Sequence, residues 1–218
     1  MLGDANSDGE GKSKRMTKTS MWQDLRGDYG SVALLLVLYT LQGVPMGLAG
    51  SVPLLLQDRG ASYAQQSVFS LVSWPFSLKL LWAPVVDSLH WRTFGRRKSW
   101  LVPVQLLCAT LMLLSPATIN SMLTGGGGGA PDVSGLTGCF FVLYFLMATQ
   151  DIAVDGWALT MLSRRNVGYA STCNSIGQTA GYMLSFVLFM AFNSPDFCNR
   201  YLRSEPKDVG VVSLGGYM

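Results

Sequence analysis

Charge is scarce in this sequence. Asp, Glu, Lys and Arg make up only 13% of its 218 residues, against about 25% in an ordinary soluble domain. Such a chain cannot cover itself with a charged surface, which argues against a water-soluble fold. Histidine is nearly missing: His90 stands alone, with no metal-ligand spacing around it, so no metal site is expected. It lies in a basic loop and reads as solvated. The four cysteines, Cys108, Cys139, Cys173 and Cys198, form no CxxC. Three of them sit in apolar runs, where cysteine behaves as a small hydrophobe. No basic face interleaved with aromatics occurs, so nucleic acid is not expected as a partner. The GGGGG run at 125–129 is not followed by GK[ST], which leaves a flexible linker rather than a phosphate cradle. No nucleophile–base pair is visible either. An enzyme is not expected, and no cofactor.

What the chain does have is apolar sequence. Hydrophobic residues make up 49% of it and the mean hydropathy is +0.30. The first 27 residues are polar and lack an early apolar core, so they read as a disordered tail and not as a cleavable signal. Crossing the hydrocarbon core takes about 20 apolar residues. Five segments qualify: 31–56, 67–86, 99–119, 136–162 and 168–192. The expected layout is a disordered cytoplasmic tail at 1–29, a five-helix transmembrane region at 30–193 and a polar tail at 194–218. Loop charge gives the orientation. The tail holds Lys12, Lys14, Arg15, Lys18 and Arg26, and the first loop only Arg59. The second loop holds Arg92, Arg96, Arg97 and Lys98, the third no cation, and the fourth Arg164 and Arg165. This alternation fits a cytoplasmic N-terminus, although Arg200, Arg203 and Lys207 in the final tail depart from it.

Two carboxylates interrupt the fourth apolar segment, in QDIAVDGWALTM at 150–161. Asp151 and Asp155 share one helix face, about 6 Å apart along the axis. An acid at mid-bilayer costs at least about 2.5 kcal/mol, so it should face a cavity or a partner. The pair reads either as a proton- or substrate-coupling site, with Gln150 beside it, or as two structural acids paired to a neighbouring helix. The second segment supplies Lys79, in WPFSLKLLWAP. Counted from the helix ends, its depth matches that of Asp155, so a Lys79–Asp155 ion pair is one expectation. A lysine snorkelling to the interface is the other.

The first segment contains GVPMGLAGSVP, with Gly43 and Gly47 in a GxxxG and Gly50 extending the small face. Helix packing is the default reading; an interrupted helix at a transport site is the alternative. In the fifth segment Asn174 and Gln178 share a face, as do Gly177 and Gly181. These amides either bind ligand or bridge helices. The third segment holds only Gln105 as a strong polar group and should face lipid. APVVDSLHWRTFGRRKSW joins segments two and three. Asp87 can pair with Arg96 or Arg97 across the Gly95-Arg96-Arg97-Lys98 turn and lock two helix ends, as a cytoplasmic gate; charge that merely sets topology is the alternative.

That loop resembles the major facilitator signature, an acid followed by G-R-[KR]. YTLQGVPMGLAGSVPLLL, WPFSLKLLWAPVVDS, FGRRKSWLVP, ATQDIAVDGWALTMLSR and NVGYASTCNSIGQTAGY extend the likeness. Together they resemble the acetyl-coenzyme A transporter family of the endoplasmic reticulum membrane, within the major facilitator superfamily, over roughly residues 29–213. A more distant resemblance is to bacterial muropeptide permeases, which share P-x-x-D…GRR and QD-x-x-VD. The resemblance implies an all-α membrane protein of two six-helix halves. This chain would supply about five helices of the N-terminal half, with helices 1 and 4 lining a cavity and helix 3 outside. It implies import of acetyl-CoA from cytosol to lumen, possible proton coupling, and a gate role for Asp87, Arg96 and Arg97. On this reading Asp151 and Asp155 carry protons or pair with Lys79, and the phosphates meet Arg164, Arg165 or the missing half. The partners are then acetyl-CoA, the bilayer and either a missing C-terminal half or further copies of the chain. Two alternatives stay open: a short isoform that regulates the longer transporter, and a permease for sugar-peptide solutes.

Overall fold

The computed structural model describes residues 27–90, 95–205, 207, 210–212 and 214. The tail cations Lys12, Lys14, Arg15, Lys18 and Arg26, and Arg92, lie outside them. Among the described residues every regular element is helical. The protein is an all-α membrane protein. Three helices are long and apolar enough to cross a bilayer: α1 (Tyr29–Asp58), α7 (Val133–Met161) and α8 (Tyr169–Asn193). A fourth span results if α5 (Lys98–Leu114) and the start of α6 (Pro116–Gly128), bent by 54°, count as one. The bend has a local cause: Pro116 has no N–H to continue the ladder, so the helix restarts there.

The second apolar segment is broken where one helix over 67–86 was expected. It runs as α2 (Tyr63–Phe69), a 3₁₀ turn (Ser70–Ser73), α3 (Trp74–Leu78), a second 3₁₀ turn (Lys79–Leu81) and α4 (Ala83–Ser88). Serine spacing and proline explain this. Ser67, Ser70 and Ser73 each donate a hydroxyl hydrogen bond to the carbonyl three residues back, at 2.6–2.9 Å. Such back-bonding competes for backbone acceptors and favours tighter turns. Pro75 and Pro84 then open α3 and α4, a place where a missing N–H costs nothing. By contrast, α1 stays continuous through Pro45 and Pro53.

The glycine run also departs from the open linker expected. Its first four residues close α6, and Gly125 takes φ +61. A side chain there would run into the Ala130 carbonyl, so the chain folds back on itself where only glycine fits. After α8, the short helix α9 (Pro195–Tyr201) is capped by Ser194. The following strand of chain returns to the bundle: the Val211 amide bonds the Phe192 carbonyl at 2.9 Å, and Leu214 is buried in the core.

The closest packing joins α1 to α8. Built onto Gly43 or Gly47, a Cβ would overlap the backbone of Gln178 or Tyr182; on Gly181 it would overlap the Thr40 carbonyl, and on Gly177 the Tyr39 side chain. The two small faces therefore meet each other, backbone against backbone. α5 packs on α7 through Leu101, Val104 and Cys108, while Leu106, Leu107, Leu113 and Leu114 stay exposed, so this helix does keep an outward apolar face.

These contacts give a signed test. Gly181→Val should force the two backbones apart and lower stability by about 1–3 kcal/mol. Gly138→Ala, on α7 with open space around it, should raise stability by up to about 1 kcal/mol. Thermal unfolding of detergent-solubilised variants reads both; an unchanged melting temperature for Gly181→Val would contradict the packing.

Candidate functional site

Four elements converge inside the bundle. α7 presents Asp151 and Asp155 one turn apart. α1 contributes Tyr39 and Gln42, α8 contributes Asn174 and Gln178, and the 3₁₀ turn of the second segment contributes Lys79. Asp151 is buried, with its side chain 3% exposed. Its Oδ2 meets Lys79 Nζ at 2.5 Å, and its Oδ1 accepts from Gln42 Nε2 at 3.1 Å and Gln178 Nε2 at 3.0 Å. Asp155 is more open, with its side chain 43% exposed. Its Oδ1 accepts from the Tyr39 hydroxyl at 2.6 Å and Asn174 Nδ2 at 3.2 Å, and its Oδ2 lies 3.6 Å from Lys79 Nζ.

One lysine thus serves two acids. When both are ionised, a single negative charge is left uncompensated, which a proton or a cation can neutralise. Buried charge persists only when paired and hydrogen-bonded, and here amide, phenol and ammonium donors all aim at carboxylate oxygens. Gln42 Nε2 also bonds the Met147 carbonyl at 3.1 Å, while its buried Oε1 has no partner among the described residues. A cavity of about 440 Å³, lined in part by Asp155, Ser171 and Asn174, opens beside the more exposed acid.

The Lys79–Asp155 pairing expected from depth is the looser of the two contacts; Asp151 is the tight partner. Depth was counted at the α-helical rise, but the second segment breaks into 3₁₀ turns that rise about 2.0 Å per residue. Gln150 is buried beside Asp151, yet no hydrogen bond joins it to the cluster among the described residues. Tyr39 and Gln42 were missed. Their signal lay in YTLQGVPMG, where two polar groups three residues apart share a helix face next to the glycine pair. Among the described residues no cluster of His, Cys, Asp and Glu could hold a metal ion.

A second ion pair closes one end of the bundle. Arg97 donates through Nη1 to Asp87 Oδ1, and Gly95, at φ +84, makes the turn. Arg96 and Lys98 are exposed. Arg97 can lie against α7 because residue 156 is glycine: a Cβ there would overlap the guanidinium. Gly156 is therefore a further site residue that sequence reading missed, one position after Asp155. Above this pair, Trp82, Trp100, Phe145 and Thr149 line an apolar groove of about 590 Å³, and the Trp82 indole donates to Thr149 Oγ1 at 3.2 Å.

At the same end, Asp28 ties the start of α1 to the turn after α7. Its Oδ2 accepts from the Ser163 hydroxyl at 2.6 Å, the Ser163 amide at 3.2 Å and Asn166 Nδ2 at 2.7 Å. The Ser163 hydroxyl first, and Asn166 second, hold the Asp28 carboxyl below its ordinary value of 3.8. A lowered carboxyl pKa contributes stability that is present above the unfolded value and lost as pH falls through the folded one. The clasp is therefore complete at neutral pH and opens only in strong acid. Arg164 and Arg165 are exposed in the same turn and make no ion pair among the described residues.

Membrane-length helices around an acid–lysine cluster define a multi-pass helical membrane protein with a charged interior. The chain belongs to the acetyl-coenzyme A transporter 1 family, whose description it matches over residues 31–218. It is 44% identical over 200 residues to an uncharacterized membrane protein of Saccharomyces cerevisiae, covering 85% of this chain and 36% of the yeast protein. It is 42% identical over 189 residues to an uncharacterized protein of Schizosaccharomyces pombe, covering 86% of this chain and 36% of that protein. It is 27% identical over 154 residues to the anhydromuropeptide permease of Escherichia coli K12, covering 70% of this chain and 30% of the permease. The chain thus spans about a third of the length of these relatives. No solved structure matches it.

The two acids should differ in a double-mutant cycle. Lys79→Met leaves a buried carboxylate unpaired and should cost about 3–5 kcal/mol, most of which Lys79→Met/Asp151→Asn recovers. Coupling of Lys79 to the half-exposed Asp155 should stay within about 1 kcal/mol. Unfolding in detergent measures both couplings, and equal values would contradict the geometry. For the clasp, Asp28→Ala should speed tryptic cleavage after Arg164 and Arg165 several-fold at neutral pH, read by mass spectrometry of the fragments.

Proposed function

We propose that this chain is part of the N-terminal half of a secondary transporter that carries acetyl-CoA from the cytosol into the endoplasmic reticulum lumen, coupled to protons. The observation that carries the reading is the Lys79–Asp151–Asp155 cluster, held inside the bundle by donors from two other elements, α1 and α8. It has one negative charge more than positive, one acid buried and one open to a cavity. Proton uptake at such a pair, with Lys79 shifting its allegiance between the acids, is a means of linking a proton to a change of access. Family membership supports acetyl-CoA as the substrate. The polyanionic substrate itself needs cations, and these are offered by Arg96, Lys98, Arg164 and Arg165 at one end of the bundle and by the rest of a longer protein. The same cations support a cytoplasmic placement of that end. The Asp87–Arg97 pair is the gate there.

A permease for sugar-peptide solutes is the second reading, supported by the likeness to the anhydromuropeptide permease. Uptake into proteoliposomes holding the whole transporter separates the two. Free CoA should compete with labelled acetyl-CoA, and muropeptides should not. In the same assay Asp151→Asn should cut uptake to below about a tenth of wild type, or remove its pH dependence, with membrane insertion unchanged. Normal, pH-responsive uptake by that variant would rule out the cluster as the coupling site.

A further inference from the structure

The three side chains that hold Asp151 are all donors. Lys79 Nζ meets Oδ2, and Gln42 Nε2 and Gln178 Nε2 both meet Oδ1. This set suits an ionised carboxylate. A protonated one has an O–H of its own and needs an acceptor. Two observations single out Gln42 as the group that supplies it. Gln42 is fully buried, and its Oε1 has no partner among the described residues. A buried acceptor left unpaired costs free energy comparable to a lost hydrogen bond, so the present arrangement serves the acid at the expense of the amide. The amide nitrogen meanwhile faces two acceptors, the Met147 carbonyl and Asp151 Oδ1, each at 3.1 Å. Half a turn about the last torsion of the side chain, which is soft and roughly two-fold, exchanges nitrogen and oxygen without moving α1. It places Oε1 within reach of Asp151 Oδ1. Gln178, the other amide on that oxygen, is only half-buried.

We infer that Gln42 is a positioning residue that turns over with the charge on Asp151: Nε2 holds the carboxylate, and Oε1 accepts the O–H of the acid. The inference rests on the proton-coupling reading above and names the group that accommodates the proton. The turn gives up the bond to Met147 and gains one to the acid. With one bond exchanged for one, the proton decides between the orientations. The charged and titratable groups around Asp151 are Lys79 from the second segment, Asp155 on α7 and, bonded to Asp155, Tyr39 from α1; α8 brings the neutral amides Asn174 and Gln178.

The test is infrared difference spectroscopy, between neutral and acidic pH, on the full chain in phosphatidylcholine nanodiscs. A carboxyl that gains a proton shows a C=O stretch, and Asp151→Asn identifies the band of Asp151. Gln42→Leu should move that band to higher frequency, because the O–H loses its acceptor. It removes a donor from one form and an acceptor from the other, so the proton concentration at which the band appears should change by less than about threefold. Gln178→Leu removes a donor alone; its band should appear at about tenfold lower proton concentration. Gln42→Met, close to glutamine in size, should repeat the frequency change and guards against a packing defect in the leucine variant. A band that keeps its frequency in both Gln42 variants overturns the inference and leaves the proton-coupling reading standing. A wild-type spectrum with no Asp151 band at any pH removes that reading, and the inference with it.

Discussion

The bundle is organised by a charge that has to be answered where water cannot reach it. Asp151 is enclosed by α1, α7, α8 and the broken second segment, and each of the other three sends it a donor. Lys79 brings the charge, Gln42 and Gln178 bring amides. An isolated carboxylate in that position would cost several kcal/mol. The helices are therefore bound to positions from which these donors reach, and register errors in any of them expose the acid.

Close packing is what makes this reach feasible. α1 and α8 touch backbone to backbone at Gly43, Gly47, Gly177 and Gly181. Bulkier residues there would hold the helices farther apart, and Gln42 and Gln178, which flank those glycines, would no longer converge on one oxygen of Asp151. The glycines and the amides are thus parts of one device: the first set the spacing, the second use it. The break in the second segment acts likewise. A straight helix would follow its own axis past α7, whereas the 3₁₀ turn at Lys79–Leu81 delivers the ammonium to both acids.

Much of this was legible in the sequence. Acids in an apolar run, an intramembrane lysine, two GxxxG faces and an acid facing a Gly-Arg-Arg turn are rare enough that each points to a contact. The structure brings those residues together. What did not show was the partner of each. Lys79 was matched to Asp155 by depth along an ideal helix, and the 3₁₀ turn at Lys79–Leu81 with the restart at Pro84 made that helix non-ideal between Lys79 and its Asp87 end. Tyr39 and Gln42 were hidden because single polar residues in an apolar helix are common, and only the fold puts them opposite the acids. Gly156 went unnoticed because a lone glycine has no partner in sequence; its role depends on Arg97 arriving from another loop. Asp28 gave no signal in the sequence, because its three bonds go to residues more than 130 positions away.

α7 is the element on which both ion pairs meet. Asp155 accepts from α1 and α8, and the next residue, Gly156, is the seat of Arg97. The two positions are about 1.5 Å apart along the helix axis, too close to move independently within a rigid helix. A change in charge at the acids that draws α7 toward or away from Lys79 also carries the glycine seat past Arg97, and with it the purchase of Arg97 on Asp87. Packed interiors pass such shifts on because they have discrete arrangements and little give. The Asp28 clasp binds the turn just beyond the same end of α7, so that end is held at two points: one an ion pair that α7 supports sterically, the other a set of neutral donors on a carboxylate. Only the ion pair lies next to the acids: its glycine seat follows Asp155 by one residue.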